Sequence, residues 1–291
     1  MDQASALREM RKGIDMTGKA GGGVPKNVRV IAITSGKGGV GKTNIAANLG
    51  YCLATMKKNV MVLDADMGLA NLDLILGLTP TYNLCHVLHG EKTLKETIVG
   101  GPGGMMILPA SSGIQELSEM SVSQKAHLLD EMGTIDDVMD FVLIDTGAGI
   151  SSNVMYFNAA AREIIVVVTP EPTSMTDAYA LMKILYQRHS RKRFRLIVNM
   201  VKNETEAKAV YHRLSTAMGH FLNLGVEYLG FIPSDSKLSD AVRIQKPITE
   251  AWPSSPAARS LRQIAKQIGS EESDQEGIGG LRFFWESVGA S

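Results

Sequence analysis

Residues 36–43 read Gly-Lys-Gly-Gly-Val-Gly-Lys-Thr and fit the phosphate-loop pattern G-x-x-x-x-G-K-[ST]. Glycines at these positions let successive backbone N–H groups turn toward a polyphosphate. Lys42 is expected to reach the β- and γ-phosphates, and the Thr43 hydroxyl to ligate Mg²⁺. The predicted phosphate-binding residues are Gly36, Lys37, Gly38, Gly39, Val40, Gly41, Lys42, Thr43 and Asn44. The sequence therefore predicts a nucleoside triphosphate site.

The elements on either side of this loop are those that the chemistry needs. The apolar run 28–34 predicts a buried strand before the loop, and 43–49 predicts a helix after it. The N-terminus of that helix adds the positive end of its dipole to the phosphate site. A second apolar run, 142–145, ends in Asp145 and has the form of a Walker B strand. Its carboxylate is expected to hold Mg²⁺, usually through water, opposite Thr43.

Lys37 is a second lysine in the same loop. Phosphate binding within one chain does not require it, but a second ammonium can neutralise charge that builds up during phosphoryl transfer, as an arginine finger does. Residues 37–43 resemble the deviant Walker A loop of the MinD/ParA ATPases. The resemblance implies that Lys37 crosses a dimer interface to the partner's nucleotide, and hence that ATP drives homodimer formation.

The same resemblance extends to the two switch segments. Residues 64–73 resemble the MinD-type switch I, which implies that Asp64 joins the Mg²⁺ shell and that Asp66 orients or activates the attacking water. Residues 146–150 resemble switch II, whose Gly149 amide can sense a γ-phosphate. The predicted catalytic residues are Lys37, Asp66 and Lys42, and the predicted metal ligands are Thr43, Asp64 and Asp145.

Recognition of the base rests on fewer residues. Asn199 ends an apolar run, and in the family an asparagine there can read the edge of adenine, although a hydrogen-bonding or turn role is an alternative. The segment 232–235, with Pro233, Ser234 and Asp235, resembles the one that packs against adenine. The chain has no Asn-Lys-x-Asp guanine signature, which favours ATP over GTP.

Composition is that of an ordinary globular protein. The chain has 291 residues, 44% of them hydrophobic, and a formal net charge of zero. Zero net charge argues against general electrostatic capture by nucleic acid or membrane. We expect no signal peptide and no membrane span, and the two isolated cysteines favour a reducing cytoplasm. Without a Cys-x-x-Cys pair, an iron–sulfur reductase of the related nitrogenase type is disfavoured.

Seven continuous apolar runs predict the fold. Runs without polar alternation are typical of parallel strands that are covered on both faces. They lie at 28–34, 60–64, 105–109, 141–145, 164–168, 195–199 and 228–232. We therefore predict an α/β fold: a doubly wound, mainly parallel sheet of at least seven strands with helices on both faces. The resemblance implies a P-loop NTPase of the SIMIBI, MinD-like type, with the ATPase domain at 27–269.

The N-terminal arm, residues 1–26, combines a short helix candidate with a glycine-rich linker. Its Asp2-Gln3-Ala4 and Leu7-Arg8 resemble the activator helix of the FlhG proteins, which stimulates the FlhF-type GTPase. Segments 108–113, 171–180 and 199–201 also resemble FlhG/FleN. The resemblance implies control of flagellar placement and number, through a basal-body protein or a flagellar transcription activator.

The C-terminal segment, 270–291, begins as an acidic linker and ends in a tail with one apolar stripe. The stripe residues are Ile278, Leu281, Phe284, Trp285 and Val288. Such a stripe predicts an amphipathic membrane anchor, but the tail has only one basic residue, and packing on its own globule or on a partner is the alternative. With an anchor, the protein would be cytoplasmic and peripherally associated with the inner face of the cell membrane.

A basic cluster at 188–195 leaves a second function open. It is a solvated loop, a docking surface for an acidic partner, or a DNA-contacting patch as in ParA-type partition ATPases. The tail and the arm favour a flagellar ATPase switch and disfavour nucleic acid as a partner. A ParA-type, DNA-associated partition or regulatory ATPase remains the alternative.

Overall fold

Eight strands form one sheet in the computed structural model, which describes residues 28–66, 71–110, 120–136, 138–271 and 284. The strands are β1 (Arg29–Ser35), β2 (Val60–Ala65), β3 (Val99–Gly100), β4 (Met106–Pro109), β5 (Phe141–Ala148), β6 (Glu163–Val168), β7 (Phe194–Val201) and β8 (Val226–Pro233). Their order across the sheet is β3-β4-β2-β5-β1-β6-β7-β8. All neighbouring pairs are parallel except β3 and β4, which are antiparallel.

Helices connect the strands and cover the sheet. Those of the described residues are α1 (Lys42–Thr55), α2 (Leu72–Leu76), α3 (Leu84–Leu88), α4 (Leu94–Thr97), α5 (Val122–Asp136), α6 (Ser152–Ala160), α7 (Pro172–His189), α8 (Glu204–Leu222), α9 (Ser236–Arg243), α10 (Ile248–Ala251) and α11 (Pro256–Ser270). None in the described part of the chain is long and apolar enough to cross a membrane.

Both faces of the sheet are buried, which explains why its strands read as continuous apolar runs. Every residue of β1 is buried. Ile31 and Ile33 pack on one face with residues of α1 and α11. Val30 and Ala32 face the other way and pack with residues of α5 and α6. The predicted doubly wound α/β sheet is confirmed, with β3 as an additional short edge strand.

The strand order places the phosphate loop at the point where the chain changes direction across the sheet. From β1 the chain continues toward β2 on one side, whereas from β5 it continues through β6 to β8 on the other. In open parallel sheets this switch point leaves a crevice outside the carboxyl ends of the strands, where ligands bind. Residues 36–41 follow β1 directly and therefore lie at that crevice.

The predicted arm, residues 1–26, lies outside the described residues, as do 272–283 and 285–291. Of the predicted apolar stripe, only Phe284 is described. It is buried, at 1% exposure, and its ring stacks on Phe157 of α6 with a centroid separation of 6.2 Å. This placement agrees with the alternative in which the tail packs on its own globule.

Candidate functional site

The phosphate loop is held open by glycines in conformations that other residues rarely adopt. Gly39 and Gly41 have φ angles of 76° and 91°. A Cβ atom on Gly41 would lie 2.5 Å from Nδ2 of Asn199, so a side chain does not fit there. At the start of the loop, the Ser35 hydroxyl donates to the Lys37 carbonyl oxygen over 2.6 Å. The loop is thus shaped by its own backbone and by β7, as a phosphate cradle requires.

Lys42 and Lys37 differ in how far they are exposed to solvent. Lys42, the first residue of α1, is 7% exposed, and burial lowers its pKa, while Asp145 and Asp66 act in the other direction. The Lys37 side chain is 39% exposed. Its Nζ donates to Glu171 over 2.5 Å and to the Thr173 hydroxyl over 3.1 Å. Lys42 therefore faces the inside of the site, whereas Lys37 lies at its rim.

The carboxyl-terminal halves of β2 and β5 bring two carboxylates together. Asp64 and Asp145 are register partners on these neighbouring strands and are 3% and 1% exposed. Asp64 accepts backbone N–H groups of Asp66 and Leu72, each over 3.3 Å. Burial raises its pKa to about 6. This proximity is a consequence of the strand order, because the two residues are far apart in the sequence.

Asp145 is the most unusual group of the site. Neither of its buried carboxylate oxygens accepts a hydrogen bond of ordinary geometry from the described residues. Burial raises its pKa to about 7, and the Thr43 hydroxyl and the Lys42 ammonium offset this only in part. A buried carboxylate that accepts no hydrogen bond of ordinary geometry is costly, and a cation with its water ligands removes that cost.

Mg²⁺ fits this arrangement. It prefers six oxygen ligands and commonly takes one or two protein carboxylates, with water and phosphate oxygens completing the shell. Asp64, Asp145 and the Thr43 hydroxyl offer such oxygens. No group of three or more His, Cys, Asp or Glu side chains suited to a metal ion occurs among the described residues. Two carboxylates and one hydroxyl leave the other positions of a six-oxygen shell to water and phosphate oxygens.

The switch segments lie beside these carboxylates. Asp66 is half-buried, and one of its carboxylate oxygens would lie 3.5 Å from a Cβ atom built on Gly147. The Gly149 amide donates to the Ser35 carbonyl over 2.9 Å, which joins switch II to the strand that enters the phosphate loop. Residues 67–70 of the predicted switch I lie outside the described residues.

Asn199 contacts the phosphate loop. Its Nδ2 donates to the Val40 carbonyl over 2.7 Å, and the residue is 2% exposed. The following residue, Met200, has a left-handed φ of 59° at a register shift between β7 and β8, and it is exposed. Asn199 therefore positions the loop in this structure, and its contact with adenine stays a prediction.

The segment 232–235 is held in place at the end of β8. The Ser234 amide donates to the Val201 carbonyl over 2.8 Å. The Asp235 carboxylate caps α9 by accepting the Lys237 amide and also accepts the Ala257 amide, over 3.0 and 3.1 Å. Burial raises the pKa of Asp235, but these bonds more than offset it, and the net shift is downward. The Asp235 carboxylate thus joins α9 to α11.

Part of the predicted basic cluster is neutralised. Arg195, at the amino end of β7, is 7% exposed and pairs with Glu271, Glu227 and Glu163. The other basic residues of the cluster lie at the end of α7 and in the loop before β7. This loop is at the amino ends of the strands, whereas the phosphate loop is at their carboxyl ends. The cluster therefore presents less positive charge than its sequence indicates.

Sequence reasoning did not identify Glu171 and Thr173 as part of the site. They follow β6 and begin α7, and they meet Lys37 across 134 and 136 residues of chain. The segment 171–180 resembles FlhG/FleN, but that resemblance gave these two residues no role. The Glu-Pro pair at the start of a helix after a strand is typical of helix N-termini in general.

The chain is similar to several known proteins. A family model described as an AAA domain matches residues 28–198. The antiactivator FleN of Pseudomonas aeruginosa is 42% identical over 261 residues, which span 90% of this chain and 93% of FleN. The flagellum site-determining protein YlxH of Helicobacter pylori is 38% identical over 260 residues, 87% of each protein.

A solved structure is also similar. The septum site-determining protein MinD of Pyrococcus horikoshii, in complex with Mg-ADP, matches with a TM-score of 0.67 and 26% identity. The match covers 84% of this chain and 96% of that one.

Proposed function

Because this chain belongs to the MinD/ParA family of ATPases and, within it, to the FlhG/FleN group, we propose that it is an ATP-dependent dimerising switch that controls flagellar placement or number. One observation carries the proposal. The carboxyl ends of the strands bring one phosphate loop together with Lys42, Asp64, Asp66 and Asp145. Lys37 of the same loop lies at the rim of this site.

In the proposed reaction, the loop amides and Lys42 bind the triphosphate of ATP. Asp64, Asp145 and Thr43 would hold Mg²⁺, which would supply positive charge next to the phosphates. Asp66 orients the attacking water from beside Gly147. Hydrolysis to ADP and phosphate then resets the switch, and the difference in binding between the two nucleotide states is the output.

Apolar side chains around the site support association of two copies through this face. Ile150 of switch II and Met200 of the β7 bulge are 54% and 41% exposed. Leu74 is 62% exposed and belongs to α2, whose first residue bonds to Asp64. All three lie in segments that adjoin residues of the site. A second copy would bury them and receive Lys37.

The names of two relatives support the proposed partners. One is named for antiactivation and another for determining flagellum sites, which supports a transcription activator or a basal-body protein as a partner. We propose that residues 1–26 stimulate an FlhF-type GTPase, that 27–269 form the ATPase domain, and that 270–291 provide peripheral contact with the inner face of the cell membrane. The neutralised Arg195 argues against the alternative, a ParA-type protein that binds DNA through the cluster at 188–195.

The experiment that tests this function compares wild type with Asp66→Ala. Wild type should be monomeric without nucleotide and should form dimers with ATP and Mg²⁺, measured by sedimentation. Asp66→Ala should retain ATP affinity, accumulate dimer and lose about 100-fold or more of its turnover, as removal of a positioned proton acceptor does.

The control is Asp130→Ala, which removes an exposed carboxylate of α5. Wild-type turnover in Asp66→Ala would remove Asp66 from the mechanism, and a monomer at saturating ATP would refute the dimerising switch.

A further inference from the structure

The ammonium group of Lys37 has partners within its own chain. It donates to the Glu171 carboxylate over 2.5 Å and to the Thr173 hydroxyl over 3.1 Å. We propose that Glu171 is the resting counter-ion of Lys37, and that this ion pair must break before Lys37 can act on a partner's nucleotide. This inference rests on the proposed ATP-dependent dimer.

The backbone brings the two groups together. A Cβ atom on Gly36 would lie 2.1 Å from the carbonyl carbon of Asp177, so the loop backbone contacts that of α7 directly. One residue after Gly36, the carbonyl oxygen of Lys37 accepts a hydrogen bond from the Ser35 hydroxyl. With its backbone held against the first turns of α7, Lys37 emerges beside the N-terminus of that helix, where Glu171 is the N-cap residue.

The ion pair between Lys37 and Glu171 is weak enough to break when Lys37 moves to a second site. The side chains of Lys37 and Glu171 are 39% and 62% exposed, so water and salt weaken their attraction. If the pair were buried, loss of either partner would leave an unpaired buried charge, at a far larger cost in free energy. The resting pair can therefore compete with a second site without preventing access to it.

Glu171 also keeps a favourable environment when Lys37 leaves. Its side chain forms no capping hydrogen bond, but it stands at the N-terminus of an 18-residue helix. The positive end of a helix dipole stabilises a carboxylate there. Departure of Lys37 thus leaves Glu171 hydrated and close to that dipole, and Thr173 with a hydroxyl that water can satisfy. The exchange transfers one ammonium from this chain to the partner's phosphates.

The first measurement concerns the monomer and needs no dimer. Without nucleotide, lysine acetylation by an amine-reactive reagent is followed residue by residue with mass spectrometry. Glu171→Gln should accelerate labelling of Lys37 by up to about fivefold, the upper range for an exposed ion pair. Thr173→Ala should accelerate it less. The matched control is Glu204→Gln, which breaks the exposed Glu204–Lys208 pair at the start of another helix and should leave Lys37 unchanged.

The second measurement concerns the dimer. In Glu171→Gln, the ATP-dependent dimer should form at a lower protein concentration, since two resting pairs no longer compete, and Glu204→Gln should behave as wild type. Unchanged labelling of Lys37 in Glu171→Gln would overturn the resting pair. Faster labelling with an unchanged or weaker dimer would overturn the exchange. If wild type forms no dimer with ATP, the proposed switch fails, while faster labelling would still assign Glu171 as the counter-ion of Lys37.

Discussion

At the scale of single residues, the ionisation of Asp145 should control how the stability of nucleotide-free protein depends on pH. A carboxylate that is buried and accepts no ordinary hydrogen bond from the described residues prefers its neutral form, and burial raises its pKa from 3.8 to about 7. Because the pKa is higher in the folded than in the unfolded protein, the neutral acid contributes stability that is fully present below pH ~4. That stability is lost as the pH rises through about 7.

The expected result is that nucleotide-free protein becomes less stable between about pH 5 and about pH 7. The group is ionised in the unfolded chain over this interval, and the cost is roughly 2 kcal/mol, or several degrees in melting temperature. Thermal melts across this range should show a smaller decrease for Asp145→Asn than for wild type.

Asp130→Asn is the matched control, because Asp130 is exposed on α5. Mg²⁺ with ATP should also flatten the profile of wild type, since a cation favours the ionised carboxylate. An Asp145→Asn profile that parallels wild type would show that another group, with Asp64 the nearest candidate, is responsible for the dependence on pH.

At the scale of elements, the start of the phosphate loop depends on a backbone contact between the loop and α7. Gly36 has space for hydrogen only, since a Cβ atom would lie 2.1 and 2.2 Å from the carbonyl carbon and oxygen of Asp177. Gly38, two residues later, has no described atom within 4 Å of its Cβ position and no left-handed φ. The two glycines therefore serve different purposes in the same loop.

Gly36→Ala should displace either the loop or the first turns of α7. Overpacking of this kind costs about 1–3 kcal/mol, so the melting temperature should fall by several degrees and ATP affinity should fall with it. Gly38→Ala is the control and should leave the melting temperature of nucleotide-free protein unchanged. Equal melting temperatures for the two variants would show that the loop does not need its contact with α7.

The elements of the sheet could be predicted because seven of the eight strands are continuous apolar runs, and burial on both faces produces such runs. β3 was not predicted, because two residues, Val99 and Gly100, carry no periodic signal. The sequence placed Asp64 and Asp145 at strand ends, but their register depends on the strand order. The contact of Lys37 with Glu171 depends on how α7 docks, which local patterns do not encode.

At the scale of the whole molecule, the nucleotide site lies at the carboxyl ends of the strands, whereas residues 28 and 271 lie at their amino ends. Arg29, at the start of β1, donates to both carboxylate oxygens of Glu163 over 2.7 Å and to the Ile268 carbonyl in the last turn of α11. Glu271, where the described helix ends, pairs with Arg29 and Arg195. These ion pairs fix the points from which the N-terminal arm and the C-terminal segment depart.

Of the predicted tail, Phe284 lies in a hydrophobic cluster of the globule. Phe284 is buried with residues of α5, α6 and the amino end of β1. The same aromatic ring cannot occupy this cluster and a bilayer at once, so membrane binding through the tail requires undocking. Two undocked tails in a dimer would bind a membrane far more tightly than one, because the second contact becomes intramolecular.

Substitutions on the two sides of this contact should therefore have opposite effects on lipid binding. Phe157→Ala removes the ring on which Phe284 stacks and leaves the tail intact. It should cost about 3 kcal/mol of stability and should increase sedimentation with anionic liposomes in the absence of ATP. Phe284→Glu should abolish liposome binding with or without ATP, while ATP affinity is retained.

Phe221→Ala is the control. Its ring is 68% exposed, so the substitution should change neither stability nor liposome binding. If Phe157→Ala folds and binds ATP but binds liposomes no better than wild type, the tail is a structural element of the globule, and the proposed membrane contact is wrong.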